Sequence, residues 1–178
     1  MLKLNLGCGN TQFEGYVNID VEDSCKPDLV HDFTSKPLPY EDGAVDEIVM
    51  FHTIEHIQKG KHPVILGELR RVLKVGGRLI LTYPNFWVCA NNWKNNFQGQ
   101  RDYWHATMFG RQLYPSDYHV CAMDPIELEI TLRDCGFGQC QSKPEPVDTF
   151  NHVTVAFAVP FTTYKELLEK DFQATQVV

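Results

Sequence analysis

The sequence predicts an α/β fold in which helices cover a mostly parallel β-sheet. Two observations lead to this prediction. Short apolar segments typical of strands alternate along the chain with segments of helical periodicity, and the first strand runs directly into a glycine turn. With 178 residues, the chain has the length of one well-buried domain. We therefore expect a single domain over residues 1–178.

Seven short segments are predicted as strands because their apolar residues alternate or run together between turn signals. The first five lie near residues 2–6, 16–20, 28–32, 45–50 and 77–83. An irregular strand is predicted from Phe137, and a more regular one from His152 to Val159.

The clearest helix is predicted over residues 61–74. Pro63 lies near its beginning and two glycines follow its end, which are the usual positions of these residues around a helix. Its apolar side chains recur at helical spacing. They are Ile65, Leu69, Val72 and Leu73.

Two further helices are predicted in the second half of the chain. One begins at Asp124, an N-cap residue followed by a proline at the first helical position, and ends at Gly136. The other is a short helix over residues 163–172. Its apolar side contains Leu167, Leu168 and Phe172.

The connection after the first strand is short. About nine residues separate Gly7 from the second strand, whereas a crossover between parallel strands usually needs about a dozen or more. The first helix must therefore be shortened to a turn or so. We expect a loop from Asn10 to Gly15 to cover this edge of the ligand site.

Charge and hydropathy exclude several kinds of partner. The formal net charge of −7 argues against nucleic acid, since affinity for the phosphate backbone depends on Lys and Arg. No segment approaches the length of a membrane span, and the sequence enters the first strand without a signal-peptide pattern. We expect a soluble, cytoplasmic protein without membrane insertion. The sequence predicts no oligomeric state.

The cysteines predict neither disulfides nor zinc. None of them forms a CxxC pair, and a chain without a secretory signal keeps its thiols reduced. They are Cys8, Cys25, Cys89, Cys121, Cys135 and Cys140.

The first twenty residues predict an adenosine-containing ligand. Gly7 and Gly9, one residue apart after an alternating apolar strand, form a turn whose backbone can approach a ligand closely. Asp20 ends the next strand, where a carboxylate can accept hydrogen bonds from ribose hydroxyls. These residues alone leave open which adenosine ligand is bound.

Five sequence blocks, in this order and spacing, carry a family resemblance. They are LNLGCGN from Leu4, VNID from Val17, VHDF from Val30, VDEIVMFH from Val45 and LKVGGRL from Leu73. With them the chain resembles a class I S-adenosylmethionine-dependent methyltransferase of the small-molecule type, related to ubiquinone-biosynthesis enzymes. The resemblance covers residues 2–85 well and 124–160 loosely. It implies a Rossmann-like three-layer sandwich with a mostly parallel seven-stranded sheet, an antiparallel last strand pair, and S-adenosylmethionine as the cofactor.

The resemblance also implies roles for individual residues. Leu6 to Gly9 would pass under the methionine part of the cofactor, and Asp20 would hold the ribose hydroxyls. Asp32 would accept from the adenine amino group, although such an acid alone is also typical of turns. The implied cofactor-binding residues are Leu6, Gly7, Cys8, Gly9, Asn10, Asp20, Val21, Asp32, Phe33, Phe51 and His52.

Two positions depart from the family pattern. Most members have an acid at the position of Asn5, and many have a third glycine near Thr11. Asn5 can orient a water or an amine, but it supplies no charge opposite the methionine ammonium.

The segment from His52 to His56 contains three candidate catalytic residues. At helical spacing His52, Glu55 and His56 share one face and could converge on a metal or a reacting proton. A related ExxEH arrangement binds a divalent metal in some RNA 2′-O-methyltransferases and ubiquinone O-methyltransferases, but similar segments in the wider family bind none. With only three candidate ligands, we expect no metal.

An aromatic insertion over residues 84–120 is the expected substrate-facing segment. Aromatic side chains on a polar segment suit a small organic ligand. They are Phe86, Trp87, Trp93, Phe97, Tyr103, Trp104, Phe109, Tyr114 and Tyr118. The same segment holds His105 and His119 as general-base candidates. We favour His119 because it lies shortly before the helix predicted from Asp124, where enzymes of the family that the chain resembles bring a residue toward the pocket.

The predicted function is methyl transfer to an oxygen or nitrogen of a small-molecule acceptor such as a sugar, a lipid-linked intermediate or a phenol. One alternative is a non-catalytic relative that binds the cofactor as a subunit of a larger assembly, to which Asn5 and the short crossover point. Another is a nicotinamide-dependent oxidoreductase, against which Gln12 occupies the third glycine position of GxGxxG.

Overall fold

The computed structural model describes residues 1–113 and 115–160. Seven strands form one sheet: β1 (Lys3–Leu6), β2 (Val17–Asp20), β3 (Leu29–Val30), β4 (Val45–Phe51), β5 (Leu73–Pro84), β6 (Phe137–Pro144) and β7 (Asn151–Ala158). The helices are α1 (His62–Val72), α2 (Phe86–Lys94), α3 (Arg101–Phe109) and α4 (Pro125–Asp134). The helix predicted over residues 163–172 lies outside the described residues.

The sheet has the order β3-β2-β1-β4-β5-β7-β6. Strands β1 to β5 are parallel to their neighbours in this order, whereas β7 is antiparallel to both β5 and β6. The predicted α/β fold, with a mostly parallel seven-stranded sheet and an antiparallel last pair, is confirmed.

Helices α1 and α4 cover one face of the sheet. Their buried side chains include Leu66, Leu69 and Leu132, which belong to the main apolar core. The strands contribute every second residue to the same core, as the two-residue periodicity of a strand requires. These strand residues are Leu4, Leu6, Ile19, Ile48, Met50, Leu79 and Leu81.

Helix α1 is shorter than predicted at its end. The chain leaves the helix after Val72 and enters β5 at once, four residues before the predicted strand. The two glycines therefore lie inside β5, where the pairing with β4 shifts register between Val45 and Glu47. Periodicity placed both elements correctly but could not locate this irregular junction.

The crossover from β1 to β2 contains no helix in residues 7–16, all of which the structure describes. A loop occupies its place, as predicted from its length. Phe13 and Tyr16 of this loop contact each other edge to face, and Phe13 also contacts Phe51 at the end of β4. The loop therefore lies against the carboxyl end of β4.

Two buried asparagines hold this loop to the sheet. The Asn5 Nδ2 donates to the carbonyl oxygen of Thr11 and to Oδ1 of Asn18, each at 2.9 Å. Asn18 Oδ1 also accepts from the backbone N–H of Phe13 at 2.9 Å, and its Nδ2 donates to Asp28. These hydrogen bonds satisfy backbone groups of the loop, as internal backbone hydrogen bonds satisfy those of a helix.

The insertion forms a pair of helices beyond the carboxyl end of β5. Helices α2 and α3 pack around Cys89, Trp104 and Met108, which form a second, smaller core with Phe150 beside it. Most of the predicted aromatic residues lie on the surface of this unit. Those with exposed side chains are Trp87, Trp93, Phe97, Tyr103, Phe109 and Tyr118, while Tyr114 lies outside the described residues.

In the part of the chain that the structure describes, no helix has both the length and the apolar character needed to span a bilayer.

Candidate active site

The candidate site lies at the carboxyl edge of the parallel strands, around the ends of β1 and β4. These strands are neighbours, and the strand order reverses between them, because β2 follows β1 on one side and β5 follows β4 on the other. Open α/β sheets bind ligands at such a reversal.

The glycine turn after β1 has the backbone that the sequence predicts. Gly7 and Gly9 have positive φ values of +67° and +47°, in the region where residues with a Cβ are strained. Apart from Gly9 and its two chain neighbours, no atom of the described residues lies within 4 Å of the position that a Cβ on Gly9 would take, so that side of the turn is open to a ligand.

Asp20 closes the turn from the end of β2. Its Oδ2 accepts from the backbone N–H of Gly9 at 2.7 Å, and its Oδ1 accepts from that of Glu22 at 2.9 Å. The residue is 8% exposed. Since a carboxylate has about four lone-pair sites, two remain for ribose hydroxyls.

We expect Gly9→Ala to weaken binding of S-adenosylhomocysteine by about tenfold or more, because the added methyl would fill the open space at the turn. Strain of the left-handed backbone should cost about 1–2 kcal/mol of folding stability. Calorimetric titration and urea unfolding would measure the two effects. Gly15→Ala is the control, because Gly15 has a φ of +80° and the structure describes no residue beyond its chain neighbours within 4 Å of its Cβ position. An equal loss of affinity in that variant would contradict the expectation.

Asp32 is part of a hydrogen-bonded turn. Its carboxylate accepts from the Ser35 hydroxyl at 2.6 Å and from the hydroxyl and backbone N–H of Thr34 at 2.7 and 3.0 Å. These bonds, that of Ser35 first, lower the pKa of Asp32. The adenine role of Asp32 stays a prediction, with about one lone-pair site free for it.

The other implied cofactor residues differ in exposure. Phe33 and Leu6 belong to the buried core, so only their backbone can face a ligand. Cys8 is also buried, and this burial raises its pKa to about 11, which makes it an inert thiol. Val21 is 56% exposed and available for contact.

Thr53 links the glycine turn to the segment after β4, a function that the sequence did not indicate. Its Oγ1 lies 3.2 Å from the carbonyl oxygen of Leu6 and 3.3 Å from that of Gly7. It is also 3.2 Å from the carbonyl oxygen of Phe51. The turn and the histidine segment are therefore held in fixed relation.

His52 and Glu55 are paired beside this link. His52 Nδ1 lies 3.2 Å from Glu55 Oε1, and Glu55 is completely buried. Burial alone would lower the pKa of His52, but the hydrogen bond to Glu55 and its charge raise it. His52 has a φ of +50°, which is uncommon for a residue with a Cβ and typical of functional sites.

His119 joins this pair from the distant insertion. The backbone N–H groups of Val120 and Cys121 donate to the carbonyl oxygen of Glu55 at 3.0 and 3.3 Å. His56 Nδ1 lies 3.0 Å from the carbonyl oxygen of Tyr118, and the rings of His56 and His119 are 4.8 Å apart, edge to face.

The structure thus brings together all four candidate catalytic residues. We call His52, Glu55, His56 and His119 the histidine–glutamate cluster. Burial lowers the pKa of His119, so its ring is neutral near physiological pH. His105 is outside the cluster, with an exposed side chain against Phe109.

Comparison with known proteins identifies the fold. Residues 21–81 match a family model described as a methyltransferase domain. The chain is similar to a SAM-dependent methyltransferase from Archaeoglobus fulgidus, at 14% identity and a TM-score of 0.65 over 87% of this chain and 85% of that one. It is similar to a SAM-dependent methyltransferase from Methanosarcina mazei, at 18% identity and a TM-score of 0.60 over 88% and 92%.

A third similar structure is a SAM-dependent methyltransferase from Thermotoga maritima, described as a possible histamine N-methyltransferase. It has 14% identity and a TM-score of 0.60, with 88% of this chain and 81% of that chain covered. Comparison with curated proteins finds no match. Neither a nicotinamide-dependent oxidoreductase nor a non-catalytic relative is favoured by these findings.

Proposed function

We propose that this chain is a class I S-adenosylmethionine-dependent methyltransferase, with S-adenosylmethionine as its cofactor, and that it methylates an oxygen or a nitrogen of a small-molecule acceptor. The observation that carries the proposal is the link made by Thr53. It joins the glycine turn, where the cofactor would lie, to the histidine–glutamate cluster, where an acceptor proton can be handled.

Three groups of this chain fit the cofactor. The open space at Gly9 admits the methionine part, and the free lone pairs of Asp20 suit the ribose hydroxyls. Asp32 is the proposed partner of the adenine amino group. When bound, S-adenosylmethionine supplies a methyl group on positive sulfur, so the new bond to the acceptor forms as the C–S bond breaks and sulfur keeps the electron pair.

The tasks left to the protein are orientation, exclusion of water and removal of the acceptor proton. The cluster lies next to Phe51 and the glycine turn, so it is the proposed place of the reacting atom. As a neutral ring, His119 is able to accept a proton. Its role as a general base stays a prediction.

The insertion supports a proposal for the acceptor class. Its exposed aromatic side chains lie on the unit that also delivers His119, and flat aromatic faces suit sugars and rings. We propose an acceptor of that kind, a sugar, a phenol or a lipid-linked intermediate, with the insertion over residues 84–120 as its binding wall.

The first test is cofactor binding. We expect the wild-type chain to bind S-adenosylmethionine and S-adenosylhomocysteine, and Asp20→Asn to weaken both by about 10- to 100-fold, since a hydrogen bond to a charged group contributes about 1.5–3 kcal/mol. Asp23→Asn is the matched control, because Asp23 is an exposed acid close by. Calorimetric titration measures both constants.

The second test is methyl transfer from labelled S-adenosylmethionine to a panel of sugars, phenols and amines. Label in a small-molecule product supports the proposal. Absence of cofactor binding by the folded wild-type chain would instead refute it.

A further inference from the structure

Glu55 has an unsatisfied oxygen in a fully buried position. The residue is 0% exposed, Oε1 is paired with His52, and Oε2 has no hydrogen-bond partner among the described residues. A carboxylate oxygen removed from water without a partner is costly, so such an oxygen points to a missing cation or donor.

Two imidazole rings beside Glu55 each keep a lone pair that could bind an ion. His56 Nδ1 must carry the proton, because its partner is the carbonyl oxygen of Tyr118, and this leaves the lone pair on Nε2. The backbone of Thr107 hydrogen-bonds to the His119 ring, whose Nδ1 is buried and has no partner in the described part of the chain. Imidazoles that bind metals are commonly oriented in this way, by a carbonyl on the other ring nitrogen.

The three donors converge. One ligand atom each from Glu55, His56 and His119 lie within 4.8 Å of one another. Since Zn²⁺ binds nitrogen and oxygen at about 2.0–2.2 Å, each atom would need to move by less than ~1 Å to share one ion. Such a shift is within reach of side-chain rotation.

We propose that Glu55, His56 and His119 bind a first-row divalent transition-metal ion such as Zn²⁺, with positions left open for a hydroxyl group of the acceptor. Two imidazoles and one carboxylate favour such an ion over Mg²⁺ or Ca²⁺, which prefer oxygen ligands. Three protein ligands with an open position are typical of catalytic rather than structural zinc sites.

His52 is then a positioning residue and not a ligand. Its Nδ1 holds Glu55 Oε1, which leaves Oε2 for the ion. The proposed ligand set therefore differs from the three residues that helical spacing groups together, His52, Glu55 and His56, by exchanging His52 for a more distant histidine. The third metal ligand comes from His119, which is 63 positions beyond His56 in the sequence.

The chemical step rests on the proposed function. A hydroxyl bound to the ion loses its proton to water more readily than a free one, and its oxygen can then take the methyl carbon as the C–S bond breaks. His119 is in this case a metal ligand, and the ion takes over the task of a general base. A bound ion of this kind therefore favours oxygen acceptors over nitrogen acceptors.

The test is titration of the full, chelator-treated chain with Co²⁺, followed by its visible spectrum. We expect one ion per chain and ligand-field bands without the thiolate charge-transfer band that the free cysteines would give. Glu55→Gln and His119→Ala should each weaken binding by more than ~100-fold, and His52→Ala by about 10- to 100-fold. His105→Ala, an exposed histidine outside the cluster, should leave it unchanged.

The spectrum of the wild-type chain does not depend on the folding of any variant, so it is the first test of whether the chain binds Co²⁺. Three outcomes would each overturn the metal site. They are absence of saturable Co²⁺ binding, presence of thiolate bands in the spectrum, and equal Co²⁺ affinity in the cluster variants and in His105→Ala. Calorimetry with S-adenosylhomocysteine on the same samples separates the two proposals. A chain that binds the cofactor but not Co²⁺ refutes only the metal, and one that binds Co²⁺ but not the cofactor refutes only the proposed function.

Discussion

Replacing Asn5 by aspartate, the kind of residue typical of the family at this position, is expected to destabilise the protein by about 3–5 kcal/mol, the usual cost of an unpaired buried charge. Asn5 is completely buried, and its Nδ2 donates to two acceptors, the carbonyl oxygen of Thr11 and Oδ1 of Asn18. A carboxylate in its place could donate to neither and would face both with negative charge.

Urea unfolding of Asn5→Asp and wild type would measure this effect. Asn10→Asp is the matched control, because it makes the same chemical change at an exposed position of the same loop. We expect the control to lie within about 0.5 kcal/mol of wild type, as surface substitutions usually do. An Asn5→Asp variant as stable as the control, with tighter cofactor binding, would show that the asparagine is an incidental departure from the family.

The short crossover gives the departure at Asn5 a physical cause. A crossover with a full helix satisfies its own backbone groups, whereas the loop after Gly9 depends on side chains to do so. Asn5 and Asn18 supply donors and acceptors together, which an acid cannot do. The sequence showed both the short crossover and the missing acid, but it did not show that one explains the other.

Local patterns predicted the elements because each depends on nearby residues. The alternation in β1 and the N-cap at Asp124 are examples, and the structure has both, with Asp124 accepting from the backbone N–H groups of Ile126 and Glu127. The junction between α1 and β5 was misplaced because pairing with β4 decides where that strand begins.

The candidate site was predicted in part. The interpretation of residues 52–56 assumed one α-helical face, but only Ile54–His56 form a short 3₁₀ helix, and His52 lies outside it with a positive φ. His52 and Glu55 nevertheless meet. The position of His119 depends on hydrogen bonds from Val120 and Cys121 to the carbonyl oxygen of Glu55, which no local pattern reveals.

The other large effect is expected for Gly7→Ala, which should lose about 2–5 kcal/mol of folding stability, from left-handed strain of about 1–2 kcal/mol and overpacking of about 1–3 kcal/mol. A Cβ on Gly7 would overlap Cγ2 of Thr53 and lie 2.7 Å from its Oγ1. Thr53 cannot simply rotate away, because it is buried and its hydroxyl would lose the carbonyl oxygens of Leu6 and Phe51.

A double-mutant cycle with Thr53→Ser isolates the cause. Serine keeps the hydroxyl and removes Cγ2, which relieves the overlap. In the Thr53→Ser background, Gly7→Ala should therefore lower folding stability by at least ~1 kcal/mol less than it does with threonine. Gly15→Ala carries a comparable positive φ without the clash and sets the cost of strain alone. If Gly7→Ala costs the same with serine as with threonine, contact with Thr53 does not limit the turn. If serine rescues stability but not binding of S-adenosylhomocysteine, Gly7 is required both for packing against Thr53 and for close approach of the ligand.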